Sequence, residues 1–456
     1  AGSADFTLGV DRRGLTLQSQ LGSFRTFRQV AVWAPPSFGP STFAAAQIRR
    51  SDGFGDNRAS ASGTAIAQIA MGEGHWRYRL MGTVHGARGD IAGVVREDDV
   101  DAGRVGFYGT YDLPTTRAQN AYAMRALASF TAEHRARDGS NDDFALWLGY
   151  TDFRSQTNFT GFTEISTFEP RWTGRGDLIE QTNRAMTFGV RARHRSRPFE
   201  PVDFIHAHFE LGMQARFDRT AQAQNLIEAP LNKVWDQRVD ATILFGDVGL
   251  WVDLDLELGD HVRVRGGVRA DALFFDVNDA LGNFIPPYRG ETYIIGYRRT
   301  AFGVVAGPRI TIDYAPSEHV QFLAAYGEGF RSPQARTLAD SEDAPFTKVR
   351  SADAGVRLTF GENAEHRITA SGFFTQLTDD VAFEPGEGRY ERIGPTRRAG
   401  LVTSIQTEPL SFLLASASVT YVHATLLEPP LSSVEDPDPP YTKGQHANTE
   451  EFRDHR

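Results

Sequence analysis

The dominant pattern in the chain is an alternation of apolar and polar residues with a period of two. In the stretch LWVDLDLEL, residues 250–258, the side chains of Val252, Leu254 and Leu256 are apolar and carboxylates lie between them. The same alternation recurs along most of the chain, and no amphipathic helix of convincing length competes with it. Because successive side chains of a strand project to opposite faces, the pattern predicts an all-β protein.

Two neighbouring segments predict a hairpin and its register. The stretch VRVRGGVRAD begins three residues after LWVDLDLEL ends, and its odd positions carry arginines. If the carboxylates and the arginines share one face of the hairpin, the residue numbers of two paired residues must add up to an even number. A three-residue loop between the strands allows this. We therefore expect Glu257 opposite Arg263 and Asp255 opposite Arg265, on a face of opposite charges that backs onto an aliphatic face.

Short and long connections alternate between about 17 predicted strands. The short ones include GDH at 259–261 and APSEH at 315–319. A soluble sandwich has no reason to collect its long connections at one end, whereas an outer-membrane barrel has short periplasmic turns and long extracellular loops. The pattern therefore predicts an antiparallel transmembrane β-barrel. The predicted long loops are one that begins with residues 88–105 and those at 158–181, 277–296, 332–348 and 384–395.

Composition narrows the chemistry. The chain has no cysteine, which excludes disulfides, thiolate catalysis and cysteine-ligated metals. Its net charge of -10 argues against nucleic acid as a partner. No run of about 18 apolar residues predicts a membrane-spanning helix. No phosphate-binding loop, catalytic triad or nucleophile elbow is present, so we expect neither an enzyme nor a cofactor.

Four segments, in this order, carry a resemblance to a known family: GSFRTFRQVAV, RRSDGFGDNRASAS, YGEGFRSPQA and VRSADAGVRL. Together the segments resemble the barrel domain of TonB-dependent outer-membrane receptors. The resemblance implies a receptor in the bacterial outer membrane that takes up a scarce solute, such as a ferric siderophore, with energy from TonB. Its partners would be membrane lipid, the solute, and TonB acting through a plug domain. A passive porin-like channel and a surface-binding barrel remain alternatives.

The same resemblance predicts the domain organisation. Residues 1–12 would be the end of the plug or its link to the barrel, residues 13–426 the barrel, and residues 427–456 an irregular extracellular loop or a non-native tail. Such transporters have 22-stranded, plugged barrels. We therefore expect the chain to be a piece that lacks the plug, the TonB-contacting segment and about five C-terminal strands, and we expect its sheet to be open.

Two groups of residues are candidates for contact with a solute. The first lies at charged positions of the strands, where a side chain would face the lumen and meet the plug or an anionic solute, or simply pair with Asp255 and Glu257 across strands. Its members are Arg263, Arg265, Arg331 and Arg357. The second lies in the long loops, whose aromatic and arginine side chains favour capture of a bulky solute. Its members are Trp172, Arg175, Tyr288, Tyr297 and Arg298.

One carboxylate does not fit the alternation. Glu328 falls on the apolar positions of its strand, together with Tyr326 and Phe330. A carboxylate in the middle of the hydrocarbon would be destabilising. We therefore expect either that Glu328 lies above the hydrocarbon or that a bulge at Gly327 or Gly329 shifts the register.

Overall fold

The computed structural model of the chain describes residues 8–158, 178–229, 231–281, 297–331, 346–361, 365–384, 389–410 and 412–427. These residues form 18 strands and two short helices, and no helix among them is long and apolar enough to cross a membrane. The elements are β1 Gly14–Gly22, β2 Thr26–Ala34, β3 Phe43–Ser51, β4 Ser60–Glu73, β5 Trp76–Asp90, α1 Glu97–Asp101, α2 Pro114–Arg117, β6 Asn120–Arg135, β7 Asn141–Thr157, β8 Leu178–Arg195, β9 Phe199–Val202, β10 Ile205–Glu228, β11 Lys233–Leu258, β12 Val262–Asp279, β13 Tyr297–Ser317, β14 Val320–Arg331, β15 Thr347–Phe360, β16 His366–Glu384, β17 Arg389–Leu410 and β18 Leu413–Leu426.

All strands belong to one antiparallel sheet in which each long strand pairs with the next one along the chain. The exception is β9, a four-residue strand that pairs with β10, while β8 pairs with β10 directly. Without β9 the count is the expected 17. Within the described residues β1 pairs only with β2 and β18 only with β17, so the sheet is open, as the sequence predicted.

The predicted hairpin and its register are confirmed. Asp255 lies opposite Arg265 and Glu257 opposite Arg263, and Gly259 supplies a positive φ of 59° in the turn between the strands. Asp255 is buried, whereas the next residue on the opposite face, Leu254, is 41% exposed. Because polar positions line the interior of a barrel, we call the charged face the inner face and the aliphatic face the outer face.

The two ends of the sheet differ. At the turn end the strands are joined by connections such as 259–261 and 318–319, and at the loop end by connections such as 91–119. The predicted long loop at 384–395 is wrong, because β16 and β17 continue as a paired ladder with Phe383 opposite Tyr390. These two strands are longer than the roughly ten residues that a strand needs to cross a bilayer. Their loop-end residues therefore lie outside the hydrocarbon, where charged side chains of both signs are tolerated.

At both ends of the sheet, side chains donate hydrogen bonds to backbone carbonyl oxygens of neighbouring segments. At the loop end, Asn57 donates from its Nδ2 atom to the carbonyl oxygens of Ile91 (2.6 Å) and Thr116 (3.1 Å), which ties connection 91–119 to β3–β4. At the turn end, Arg13 donates from Nη2 to the carbonyl oxygen of Thr42 at 2.9 Å. Gln68 donates to the carbonyl oxygen of Leu8 at 3.2 Å. The segment before β1 therefore runs along the turn-end rim, and its role as the end of a plug stays a prediction.

The ladder around Glu328 has no bulge. The pairing of β14 with β15 runs without a break from Val320 to Arg331. Glu328 stays on the outer face, where Lys348 Nζ lies 2.6 Å and Arg350 Nε 3.3 Å from its carboxylate. Two cations thus neutralise the carboxylate, which removes the need for a shifted register.

Candidate functional site: the charged inner face

The inner face of β11–β13 carries a lattice of ion pairs. Asp253 and Asp255 are 2% and 4% exposed. Although Arg265 is opposite Asp255 in the ladder, the closest contacts run diagonally, with Arg263 Nη2 2.6 Å from Asp255 Oδ2 and Arg265 Nη2 3.5 Å from Asp253 Oδ2. Each of the two predicted arginines is therefore paired with a carboxylate. Whether they also touch a plug or a solute stays a prediction.

A third arginine, which the sequence pattern did not single out, completes the lattice. Arg309 on β13 contacts Asp253 on β11, with Nε 2.9 Å from Oδ1. The residue between them in the ladder is Gly267 of β12, and a Cβ atom there would lie 1.9 Å from Asp253 Oδ1. Because Gly267 has no side chain, Arg309 reaches across a whole strand, a contact that an analysis of adjacent strands does not find.

The lattice continues towards the loop end through an aromatic contact. Arg269 pairs with Asp271 at 2.6 Å, and its guanidinium lies over the ring of Trp251 at 5.5 Å from the centroid. Trp251 in turn donates to Glu210 Oε1 at 3.2 Å. The inner wall from β10 to β13 thus carries a second set of charged and aromatic contacts beside the ion pairs of Asp253 and Asp255.

Beyond this network the inner face of the same strands becomes apolar. Leu273, Phe275, Ala301 and Val305 form a cluster that is no more than 5% exposed, and Phe245 of the same face packs against it. A buried apolar cluster stabilises the loop-end extension of the long strands. It offers no accessible surface to a solute.

Arg357 lies on the inner face in a different environment. Its Nη1 donates to Gln321 Oε1 at 3.0 Å, and Gln321 donates to Asp313 Oδ2 at 2.6 Å. Among the described residues no carboxylate lies within ion-pair distance of Arg357. The side-chain amide of Gln321 therefore lies between the Arg357 guanidinium and the carboxylate of Asp313. The charge of Arg357 is thus less compensated than the charges of Arg263 and Arg265.

Arg331 takes part in a cluster at the loop end. Its Nη2 lies 3.1 Å from Asp380 Oδ1, and Arg398 Nη2 lies 2.6 Å from Asp380 Oδ2. The carboxylate also accepts a hydrogen bond from the hydroxyl of Thr396 at 2.9 Å. Asp380 is buried, whereas the two arginine side chains are 43% and 45% exposed. Two guanidinium groups thus share one carboxylate and face the interior.

The position of Asp380 depends on an irregularity in β16. The register shifts between Leu377 and Asp380 and again between Asp380 and Val381. By simple alternation from Leu377, Asp380 would face outwards, and the bulge turns it to the inner face. Burial raises the pKa of Asp380, but the N–H of Val381, the hydroxyl of Thr396 and the nearby arginines outweigh this and hold the pKa below its usual value.

The residues predicted for the long loops are placed only in part. Arg298 lies in β13 rather than in a loop, on the outer-face positions, and makes a bidentate pair with Asp276 at 2.9 and 2.6 Å. The hydrogen bond from Arg298 lowers the pKa of Asp276. Tyr297 opens the same strand. Trp172, Arg175 and Tyr288 lie outside the described residues.

The next residue along β13, Arg299, was missed by the sequence analysis. It belongs to the inner-face positions, is 5% exposed, and its Nη2 lies 4.0 Å from the equally buried Asp279. Alternation from Arg309 would have placed Arg299 on the inner face. The prediction failed because Tyr297 and Arg298 were assigned to the long loop, although β13 begins at Tyr297.

The chain belongs to the TonB-dependent receptor family. The family model described as "TonB dependent receptor-like, beta-barrel" matches residues 35–450. Members of this family are outer-membrane receptors and transporters rather than enzymes. No curated protein matches the sequence.

Solved structures of the same family share the fold. The ferric citrate transporter FecA in its unliganded form is 12% identical and has a TM-score of 0.68, covering 90% of this chain and 58% of FecA. The siderophore receptor PiuA from Acinetobacter baumannii is 13% identical, with a TM-score of 0.67 over 91% of this chain and 65% of PiuA. The copper transporter OprC is 12% identical, with a TM-score of 0.65 over 91% and 62%. The chain thus spans about three-fifths of the length of these structures, and the likeness concerns the fold.

Proposed function

We propose that the chain forms the barrel wall of a bacterial outer-membrane receptor that takes up a scarce, anionic solute, such as a ferric siderophore, with energy from TonB. Family membership supports this, as do the ferric citrate, siderophore and copper proteins among its structural neighbours. In this proposal the turn end faces the periplasm and the loop end faces outwards.

The observation that carries the proposal is the cluster of Arg331, Arg398 and Asp380. Two half-exposed guanidinium groups face the interior near the loop end and share one buried carboxylate. One positive charge is therefore left for a solute that arrives from outside. Because guanidinium binds carboxylates and similar planar anions in a bidentate manner, the cluster suits a negatively charged chelate.

Uptake of a labelled solute by whole cells tests the proposal. In cells that carry the complete receptor, we expect accumulation of a radiolabelled ferric siderophore that stops when a protonophore collapses the inner-membrane potential. Arg331→Gln combined with Arg398→Gln is expected to weaken solute binding at least tenfold. Arg397→Gln is the matched control, since Arg397 precedes Arg398 on β17 and faces outwards.

The alternatives give different results. A passive channel would admit the solute in proportion to its concentration and would ignore the protonophore, and a surface-binding barrel would bind without accumulation. Equal effects of the double variant and of the Arg397→Gln control would remove the cluster from solute binding, even if energised uptake were observed.

A further inference from the structure

A row of arginines crosses the outer face of β3–β7 near the loop end. In the ladder, Arg50 is opposite Ala61, Ala61 opposite Arg88, Arg88 opposite Tyr122, and Tyr122 opposite Arg154. The five residues line one cavity of about 650 Å³. An arginine thus lies on every second strand, and the small side chain of Ala61 and the ring of Tyr122 separate the guanidinium groups.

These arginines are exposed and only weakly engaged. Arg50 is 72% exposed, and its nearest carboxylate, Asp52 at 3.9 Å, is held more closely by Arg25. Arg154 donates from Nη2 to Asn120 Oδ1 at 3.4 Å, its one hydrogen bond among the described residues. In the described part of the chain no carboxylate lies within ion-pair distance of Arg88 or Arg154. Asp52 and Asp90 also line the cavity, so cations outnumber carboxylates there by three to two.

An apolar groove lies below the arginines on the same face of the sheet. Its volume is about 760 Å³. The floor consists of small residues, six alanines and one glycine on four strands, and a Cβ atom at Gly82 would have nothing within 4 Å. Bulky side chains form its sides, with Trp33 at one side and Tyr150 at the other. The floor residues are Ala44, Ala46, Ala65, Ala67, Gly82, Ala126 and Ala128.

The distance along β5 places one cavity at the height of the lipid phosphates and the other at the height of the acyl chains. Tyr78 and Trp76 lie on the outer face at the turn end of β5, the position of an interfacial aromatic belt. From Tyr78 to Arg88 the strand rises roughly 33 Å, which a tilt of about 45° reduces to the roughly 25 Å height of an apolar band. The arginines therefore lie at the opposite interface, where lipid phosphates are found, and the groove lies in the hydrocarbon beneath them.

We propose that this face binds a phosphorylated, multiply acylated lipid of the outer leaflet, with its phosphates on Arg50, Arg88 and Arg154 and its acyl chains in the groove. The proposal rests on the membrane placement of the proposed function but does not depend on transport. Arginine is suited to the phosphate oxygens because its planar guanidinium donates two parallel hydrogen bonds. A protein helix could fill an apolar groove, but it would not require the arginine row.

The test is a titration of the complete receptor in detergent with bisphosphorylated hexa-acyl lipid A, followed by native mass spectrometry. Each basic residue near an anionic lipid surface contributes about fivefold in affinity, so the variant Arg50→Gln/Arg88→Gln/Arg154→Gln is expected to bind about 100-fold more weakly. The matched control is Arg49→Gln, which removes a neighbouring charge from the inner face of the same strand.

Further arms separate the parts of the ligand. Dephosphorylated lipid A is expected to bind as weakly to the wild type as lipid A binds to the triple variant. Gly82→Leu puts a branched side chain on the floor of the groove and is expected to weaken lipid A binding by at least tenfold. Heat-modifiable gel mobility shows that each variant remains folded, and only folded variants are titrated.

Three outcomes would overturn the proposal. Lipid A could bind the triple variant as tightly as the wild type. Phosphatidylglycerol could bind as tightly as lipid A, which would indicate a general affinity for acyl lipids. Inorganic phosphate at low millimolar concentration could displace lipid A fully, which would identify a site for a free anion.

Discussion

Two walls of the sheet follow the same alternation and differ in almost everything else. The short wall, β2–β7, begins with strands of nine residues and has alanine and glycine on much of its outer face. The long wall, β10–β13, contains strands of 24 and 26 residues with Leu250, Val252 and Leu254 facing outwards. The long wall also carries the ion-pair lattice and the buried apolar cluster.

The difference teaches that period-two patterning sets the fold while side-chain size decides what each wall can do. In the long wall, glycine gives room to a side chain of the protein itself, as Gly267 does for the contact between Arg309 and Asp253. In the short wall, Gly82 opens onto empty space at the surface. Side chains of the long wall therefore fill the space that its glycines leave, whereas the short wall leaves space for a ligand.

The largest expected effect on stability is the difference between two glycine-to-alanine substitutions, one in each wall. Gly267→Ala puts a Cβ atom 1.9 Å from Asp253 Oδ1 and 2.5 Å from the carbonyl oxygen of Val252, so both a buried ion pair and the backbone must move. We expect a loss of about 3 kcal/mol in the free energy of unfolding. Gly82→Ala should be neutral or stabilising by up to about 1 kcal/mol, since it only restricts the unfolded chain.

Urea unfolding of the receptor in detergent, followed by gel mobility, measures both variants. If Gly267→Ala and Gly82→Ala had equal effects, the two walls would not differ in how their glycines are used, and the comparison would fail.

The second effect concerns the lattice itself. Asp253→Asn removes the charge that Arg265 and Arg309 share, and leaves two half-exposed guanidinium groups without it. We expect a loss of about 2 kcal/mol in the free energy of unfolding, below the usual value for a broken buried pair because water reaches the arginines. Glu257→Gln, at a carboxylate that is 51% exposed and 3.8 Å from Arg263, should change it by less than about 0.5 kcal/mol. A larger loss for Glu257→Gln than for Asp253→Asn would contradict the hub role of Asp253.

The short wall has an inner-face pair that allows a direct comparison. Arg79 and Glu133 are in contact, with side chains that are 24% and 19% exposed, and neither has a second ion-pair partner in the part of the chain that the structure describes. Glu133→Gln is expected to cost about 1 kcal/mol of unfolding free energy, between the values for exposed and buried pairs. The same urea titration applies. A loss as large as that of Asp253→Asn would show that the short wall depends on its charges as much as the long wall does.

The parts of the molecule that the sequence predicted are those governed by local alternation. The register of Asp255 and Glu257 followed from parity and loop length alone. Arg309 was missed because its partner lies two strands away and is reached only over Gly267, and Asp380 was missed because a bulge reverses its parity. The outer-face row of Arg50, Arg88 and Arg154 comes from three strands that alternate with others in the ladder, so no sequence window contains it.

The smallest expected effect is at the loop end of the long wall, where Asp276 and Arg298 form a pair outside the membrane-spanning part. The arginine is 68% exposed, so Asp276→Asn should lower the free energy of unfolding by only about 0.2–1 kcal/mol at low ionic strength. At about 1 M salt, where the Debye length is about 3 Å, the difference should be close to zero.

Because the hydrogen bond from Arg298 holds the folded pKa of Asp276 below the unfolded value of about 3.9, the contribution is present above about pH 4 and is lost as the pH falls through the folded pKa. Unfolding of the wild type and the variant between pH 7 and pH 2, at both salt concentrations, measures this. A difference that grows on acidification would reverse the sign of the linkage, and one that survives high salt would place the pair in a less exposed site. If Arg298→Ala weakens solute binding while stability changes this little, the role predicted for Arg298 in solute capture is separate from its structural pairing with Asp276.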